Sequence, residues 1–181
     1  MTTALLIIDI QNDYFPGGKM ELVGSPQAAE QAAGLLENFR AKSLSIFHMQ
    51  HVSVRPTATF FLPDTEGVKI HGSVTPRAGE TVLVKHYPNS FRETPLLEKL
   101  RGQGIDRLVI AGMMTHMCID TTTRAAADLG FECVLAHDAC ATRDLAFNGT
   151  KVPAREVQGA FVAALNGAFA KVMTAKEIAA P

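Results

Sequence analysis

The chain has 181 residues, 47 % of them hydrophobic and 19 % charged, with a formal net charge of −1. That size suits one globular domain over residues 1–181, and a near-neutral charge with no Lys/Arg cluster excludes a nucleic-acid binder. No apolar run is long enough to span a bilayer, and three cysteines at irregular spacing without a CxxC pair make neither a disulfide framework nor a structural zinc site.

MTTALLIIDIQNDY opens the chain with an apolar run, but it lacks a basic leader and Asp9 interrupts it. It reads as a first strand over 4–9 rather than a signal peptide. SPQAAEQAAGLLENFRAK (25–42) reads as a helix, with Ser25 as its cap and Pro26 at its first position. LSIFHMQ (44–50) is a second strand. Residues 52–80 form a long irregular stretch rich in Pro, Gly and Thr, whose Phe60, Phe61 and Leu62 require burial or a ligand. TVLVKH (81–86) is a third strand, TPLLEKLRGQG (94–104) a short helix and DRLVIAG (106–112) a fourth strand. A helix over 116–129 follows, ended by Gly130. FECVLAHDAC (131–140) is a fifth strand, 153–169 a helix, and 170–178 a sixth strand and tail. Repeated βα units predict an α/β fold: a three-layer, doubly wound (Rossmann-like) sandwich around a six-stranded, mostly parallel sheet.

In such sheets ligands bind beyond the carboxyl ends of the strands, and three reactive side chains fall there. Asp9 ends strand one, where it is either a turn-capping acid or a general base. Lys85 ends strand three, where it either snorkels to the surface or stabilises nearby anions. Cys118 lies three residues after Thr115 in VIAGMMTHMCIDTTTR. With Thr115 as N-cap, Cys118 would occupy the first helical turn, and the helix N-terminus and Lys85 would lower its pKa. Gly112 would allow a sharp turn ahead of it. Cys133 and Cys140 read as core cysteines, and the absence of a disulfide pattern fits a reducing, cytoplasmic setting.

With LLIIDIQNDYFPGG, VKHYPNSF and LVIAGMMTHMCIDTTTRAAADLGFECVLAHDAC together, the sequence resembles the isochorismatase-like cysteine hydrolase superfamily over nearly its whole length. That superfamily includes nicotinamidases, carbamoylsarcosine amidases, ureidoacrylate hydrolases and streptothricin hydrolases. The resemblance implies a catalytic triad of Asp9, Lys85 and Cys118, and a non-proline cis peptide between Met113 and Met114. It implies that the Met114 N–H joins the Cys118 N–H as an oxyanion hole. The activity implied is hydrolysis of a small-molecule amide through a thioester, since isochorismatases proper cleave a vinyl ether and lack the cysteine. The analogy also points to a homo-oligomer, a dimer or tetramer.

Nicotinamidases carry an Asp and two histidines as a metal motif after strand two. Aligning FHMQHVSVRP by the strand end puts Gln50 and Val52 at those positions, leaving His48 and His51 out of register. No metal and no cofactor are therefore expected, and the two histidines read as polar edge residues. Phe15, Phe60, Phe61, Tyr87 and Phe91 are the candidate substrate-binding residues, with Asn89 as a polar candidate. Arg55 and Arg92 leave an anionic substrate open. The doubly wound pattern alone would also permit a nucleotide-binding module, but neither GxGxxG nor GxxxxGK[ST] is present. Isochorismatase-type or nicotinamidase activity, and a reactive-thiol protein without turnover, are the alternatives.

Overall fold

The computed structural model describes residues 1–180. Six strands, β1 (Thr3–Ile8), β2 (Ser45–His51), β3 (Thr81–Lys85), β4 (Arg107–Met113), β5 (Glu132–Ala141) and β8 (Lys171–Met173), form one sheet in the order β3-β2-β1-β4-β5-β8. Every neighbouring pair in it runs parallel. Five helices accompany it: α1 (Ser25–Ala41), α2 (Leu96–Gly102), α3 (Asp120–Asp128), α4 (Ala154–Leu165) and α5 (Ala175–Ala179). Two short strands, β6 (Leu145–Phe147) and β7 (Thr150–Val152), pair separately as an antiparallel hairpin.

The central strands are apolar on both sides because both sides are covered. Leu5 and Ile7 of β1 pack with Leu35, Leu36 and Phe39 of α1 and with Ala175 of α5. Ala4, Leu6 and Ile8 point the opposite way, into a second cluster with Leu96 and Leu100 of α2, Ala126 of α3 and Leu165 of α4. This is the three-layer arrangement that the alternating apolar runs and helices imply.

Several boundaries differ from the sequence reading. Asp9 lies one residue past β1, with φ of +53°, so the chain breaks from the sheet at that carboxylate. Gly24, not Ser25, caps α1; the Ser25 hydroxyl instead donates to the Leu22 carbonyl. Thr115 is not a cap either. It opens a π-helical turn, Thr115–Ile119, that precedes α3, and its hydroxyl donates to Gln158 Oε1 at 2.6 Å. The tail after β8 is α5, begun by a reciprocal capping box between Thr174 and Glu177.

The irregular segment 52–80 is ordered by the end of β1. Asn12 and Asp13 donate their N–H groups to the Lys69 and Gly67 carbonyls, and the His71 N–H donates to the Ile10 carbonyl. On the other side of β1, the β4–β5 register shifts between Ile110 and Gly112. Gly112 has φ of +135°, and a Cβ there would fall 2.0 Å from the Ile8 carbonyl oxygen. Only glycine lets β4 pass that close to β1 before turning toward Cys118.

Candidate active site

The strand order reverses between β1 and β4, the position where open α/β sheets leave a crevice at their carboxyl edge. Asp9 follows β1 on one side of that point and Cys118 follows β4 on the other. Lys85 is the last residue of β3, two strands out from β1. All three side chains are buried, Asp9 and Lys85 completely.

Lys85 Nζ joins the other two. It lies 2.8 Å from Asp9 Oδ2 and donates to Cys118 Sγ at 3.3 Å. It also donates to the Tyr87 carbonyl at 3.0 Å and lies 3.1 Å from His51 Nδ1. Burial alone would lower the Lys85 pKa, but the Asp9 carboxylate and the Cys118 sulfur outweigh it and hold the ammonium above the ordinary lysine value. Lys85 is the one cation paired with the Asp9 carboxylate among the described residues apart from the more distant His51 ring, and the Cys118 thiol adjoins it.

The thiol does not behave as its sequence position suggests. Burial and the Asp9 charge push the Cys118 pKa up, against the opposing pull of Lys85. The direction is opposite to the expected lowering: desolvation of the sulfur and the neighbouring carboxylate outweigh one ammonium.

The peptide bond between Met113 and Met114 is cis. The Met114 N–H donates to no acceptor among the described residues, and its carbonyl accepts from the Met117 and Ile119 N–H groups. Those bonds wind the chain into the π-helical turn that carries Cys118.

DIQND supports the site with every second residue. Gln11 is fully buried; its amide donates to the His51 and Val68 carbonyls, and its Oε1 accepts from the His51 N–H at 2.7 Å. Asp13 accepts from the Phe61 N–H at 2.7 Å and the Lys19 N–H at 3.2 Å. Asp9, Gln11 and Asp13 are all buried, although the chain leaves the sheet at Asp9 and turns through Asn12–Tyr14.

A cavity of about 270 Å³ opens onto Cys118. Tyr14, His51, Arg55, Phe60, His86 and Met114 are among the residues around it, and no carboxylate is. Of the five aromatic candidates, only Phe60 lines it. Phe15 is buried and stacks on the His71 ring at 3.6 Å between centroids. Phe61 is fully buried against Tyr14, with centroids 4.6 Å apart. Tyr87 packs under the Arg92 guanidinium and reaches the site only through its carbonyl. Phe91 is partly buried and stacks on Phe131 against the core between sheet and helices. These four satisfy packing requirements that the sequence does not distinguish from a binding role.

An isochorismatase domain model matches residues 3–177. The chain belongs to the isochorismatase family. YddQ, an isochorismatase-family protein of Bacillus subtilis, is 54 % identical over 174 residues, covering 96 % of this chain and 97 % of its own. The maleamate amidohydrolase of Pseudomonas putida is 32 % identical over 155 residues, 77 % of this chain and 72 % of its own. The crystal structure of a candidate isochorismatase hydrolase from Oleispira antarctica superposes with a TM-score of 0.95 at 54 % identity, covering 99 % of this chain and 97 % of that one.

Within this isochorismatase-family fold the histidines divide clearly. His48 is buried on β2, and its Nε2 lies 2.9 Å from Glu80 Oε2, which makes it part of the framework. The His86 Nδ1 lies 2.8 Å from the Val52 carbonyl, and the His116 Nδ1 lies 2.6 Å from the Thr142 hydroxyl. His51 is not an edge residue: its ring enters the site and lines the cavity. It forms with Asp9 and Cys118 the one trio of metal-type donors among the described residues, with ligand atoms within 4.8 Å of one another. Lys85 lies within 3.3 Å of each of the three side chains, so the positive charge they face is its ammonium. Cys133 and Cys140 are buried elsewhere, and burial pushes both thiols up to about 12.

Proposed function

We propose that this protein is a cysteine hydrolase that cleaves the C–N bond of a small amide, lactam or ureide, with Cys118 as nucleophile, Asp9 as general base and acid, and Lys85 as their electrostatic anchor. The observation that carries this is the single ammonium held between a buried carboxylate and a buried thiol, with the thiol opening onto a cavity. The amidohydrolase among the relatives supports the reaction class.

Asp9 removes the Cys118 proton as the sulfur bonds to the substrate carbonyl carbon, and the carbonyl π pair moves onto oxygen. The Met114 and Cys118 N–H groups receive that oxyanion. The intermediate collapses, the C–N bond breaks, and the proton on Asp9 passes to the departing nitrogen. Asp9 then takes a proton from water, whose oxygen attacks the thioester. The C–S bond breaks, the acid leaves, and the sulfur recovers the proton from Asp9. Lys85 keeps its charge throughout and offsets whichever neighbour is anionic. A thiol that ionises only as its proton is taken suits this sequence better than a standing thiolate.

Cys118→Ala is expected to abolish release of ammonia or amine across a panel of small amides, lactams and ureides, while Cys133→Ala retains it. Release by the Cys118 variant at the wild-type rate would refute the nucleophile assignment.

A further inference from the structure

Resting on that reading, we infer that His51 is a neutral hydrogen-bond donor to the substrate, with Nδ1 fixed by Lys85 and the Nε2–H presented to the cavity. The site then favours substrates that carry a second acceptor beside the scissile C–N bond, such as acylureas, over simple aliphatic primary amides.

Three observations converge on this ring. First, its backbone is fixed from both sides: the buried Gln11 amide occupies the His51 N–H and carbonyl together. Second, an ammonium has protons to donate and no lone pair. His51 Nδ1 lies 3.1 Å from Lys85 Nζ and 3.9 Å from Asp9 Oδ2, so the nearer group is a donor and matches a bare Nδ1 that accepts from it. The single proton of the neutral ring is then on Nε2. Burial pushes the His51 pKa down to about 4; Asp9 opposes this, and Lys85, His86 and Arg55 add to it. Third, His51 lines the cavity beside Cys118, and its hydrogen bonds among the described residues run through its N–H, its carbonyl and Nδ1, leaving Nε2 unengaged. The donor therefore has an aqueous or substrate partner only. With no carboxylate around the cavity and Arg55 at its wall, the lining favours acceptor groups.

Lys85 also needs this arrangement. An imidazolium next to the ammonium would be repelled by it, whereas a neutral Nδ1 gives it another acceptor alongside Asp9 and the Tyr87 carbonyl.

Two replacements separate the halves of the ring. His51→Asn keeps an acceptor near the Nδ1 position and removes the cavity donor; His51→Gln returns a donor near the Nε2 position. Matched substrates are a primary amide and the acylurea of the same acid. His51→Asn is expected to lower kcat/KM about tenfold more for the acylurea than for the amide, as loss of one hydrogen bond would. The loss should appear mainly in KM, and His51→Gln should restore part of it. Imidazole ¹⁵N spectra of the wild-type protein at neutral pH should show Nδ1 bare and Nε2 protonated. A proton on Nδ1, or equal losses on both substrates in His51→Asn, would overturn the inference. Either could occur while Cys118→Ala remains inactive, so the cysteine-hydrolase reading stands or falls separately.

Discussion

Cys118 sits between a carboxylate that opposes its ionisation and an ammonium that favours it, and burial adds to the carboxylate's side. Removing the carboxylate charge should therefore shift thiol reactivity and catalysis in opposite directions. In Asp9→Asn the sulfur keeps Lys85 as neighbour and loses its anionic one, so its pKa falls. Iodoacetamide should alkylate Cys118 faster in that variant than in the wild type at pH 7–8, read by mass spectrometry of the Cys118 peptide, while amide turnover drops to background. Slower or unchanged alkylation would mean that Asp9 does not hold the proton on sulfur. Legibility at this scale was uneven. Asp9, Lys85 and Cys118 are readable because each follows an apolar run at the carboxyl edge of a parallel strand. His51 meets the same criterion as the last residue of β2, yet comparison with a metal motif set it aside. The aromatics divide without a sequence mark: Phe15 and Phe61 fill the core and Phe91 packs against it, whereas Phe60 lines the cavity.

Elements are joined to the site by a polar network outside it. Arg40 of α1 donates through Nε and Nη2 to Glu80, which lies just before β3 and accepts from the Arg77 N–H. His48 of β2 completes the group. Burial alone would raise the Glu80 pKa, but hydrogen bonds from Arg40, the Arg77 N–H and His48 bring it down to about 2, from an ordinary value of 4.5. A folded-state pKa below the unfolded one contributes stability that is fully present above pH 4.5 and is lost as pH falls toward 2. Glu80→Gln should cost about 2 kcal/mol at pH 7 and flatten the stability profile between those limits, as measured by urea unfolding at a series of pH values. A variant as acid-sensitive as the wild type would assign that limb to other groups. At this scale, apolar runs identify the six sheet strands, whereas the β6–β7 hairpin goes unread. Its signal is Asn148-Gly149, both at positive φ, the pair favoured in a two-residue hairpin loop. The π-helical turn has no such mark, because its Met114-to-Ile119 bond depends on how the chain leaves β4.

Across the whole molecule, the sheet order is what turns residues far apart in sequence into one site. Asp9, His51, Lys85 and Cys118 follow or end β1, β2, β3 and β4, four adjacent strands at one edge. Composition and pattern imply a parallel sheet, but the order that makes these strands neighbours comes from tertiary packing, which no local stretch encodes. This edge places a lysine and an aspartate, both fully buried, in the interior of the fold, and their joint desolvation must be balanced by their attraction. Lys85→Met alone leaves the buried Asp9 carboxylate without its ammonium partner, so it should destabilise the protein by about 3–5 kcal/mol. Adding Asp9→Asn removes the stranded charge, and asparagine tolerates the positive φ at that position. The double variant should therefore be more stable than Lys85→Met, approach the wild type in urea unfolding, and remain inactive. Simple addition of the two single losses would show that the residues contribute independently. Recovery in the double variant would instead mean that the attraction within the ion pair only offsets the cost of burying both charges, so that the pair adds little net stability to the fold.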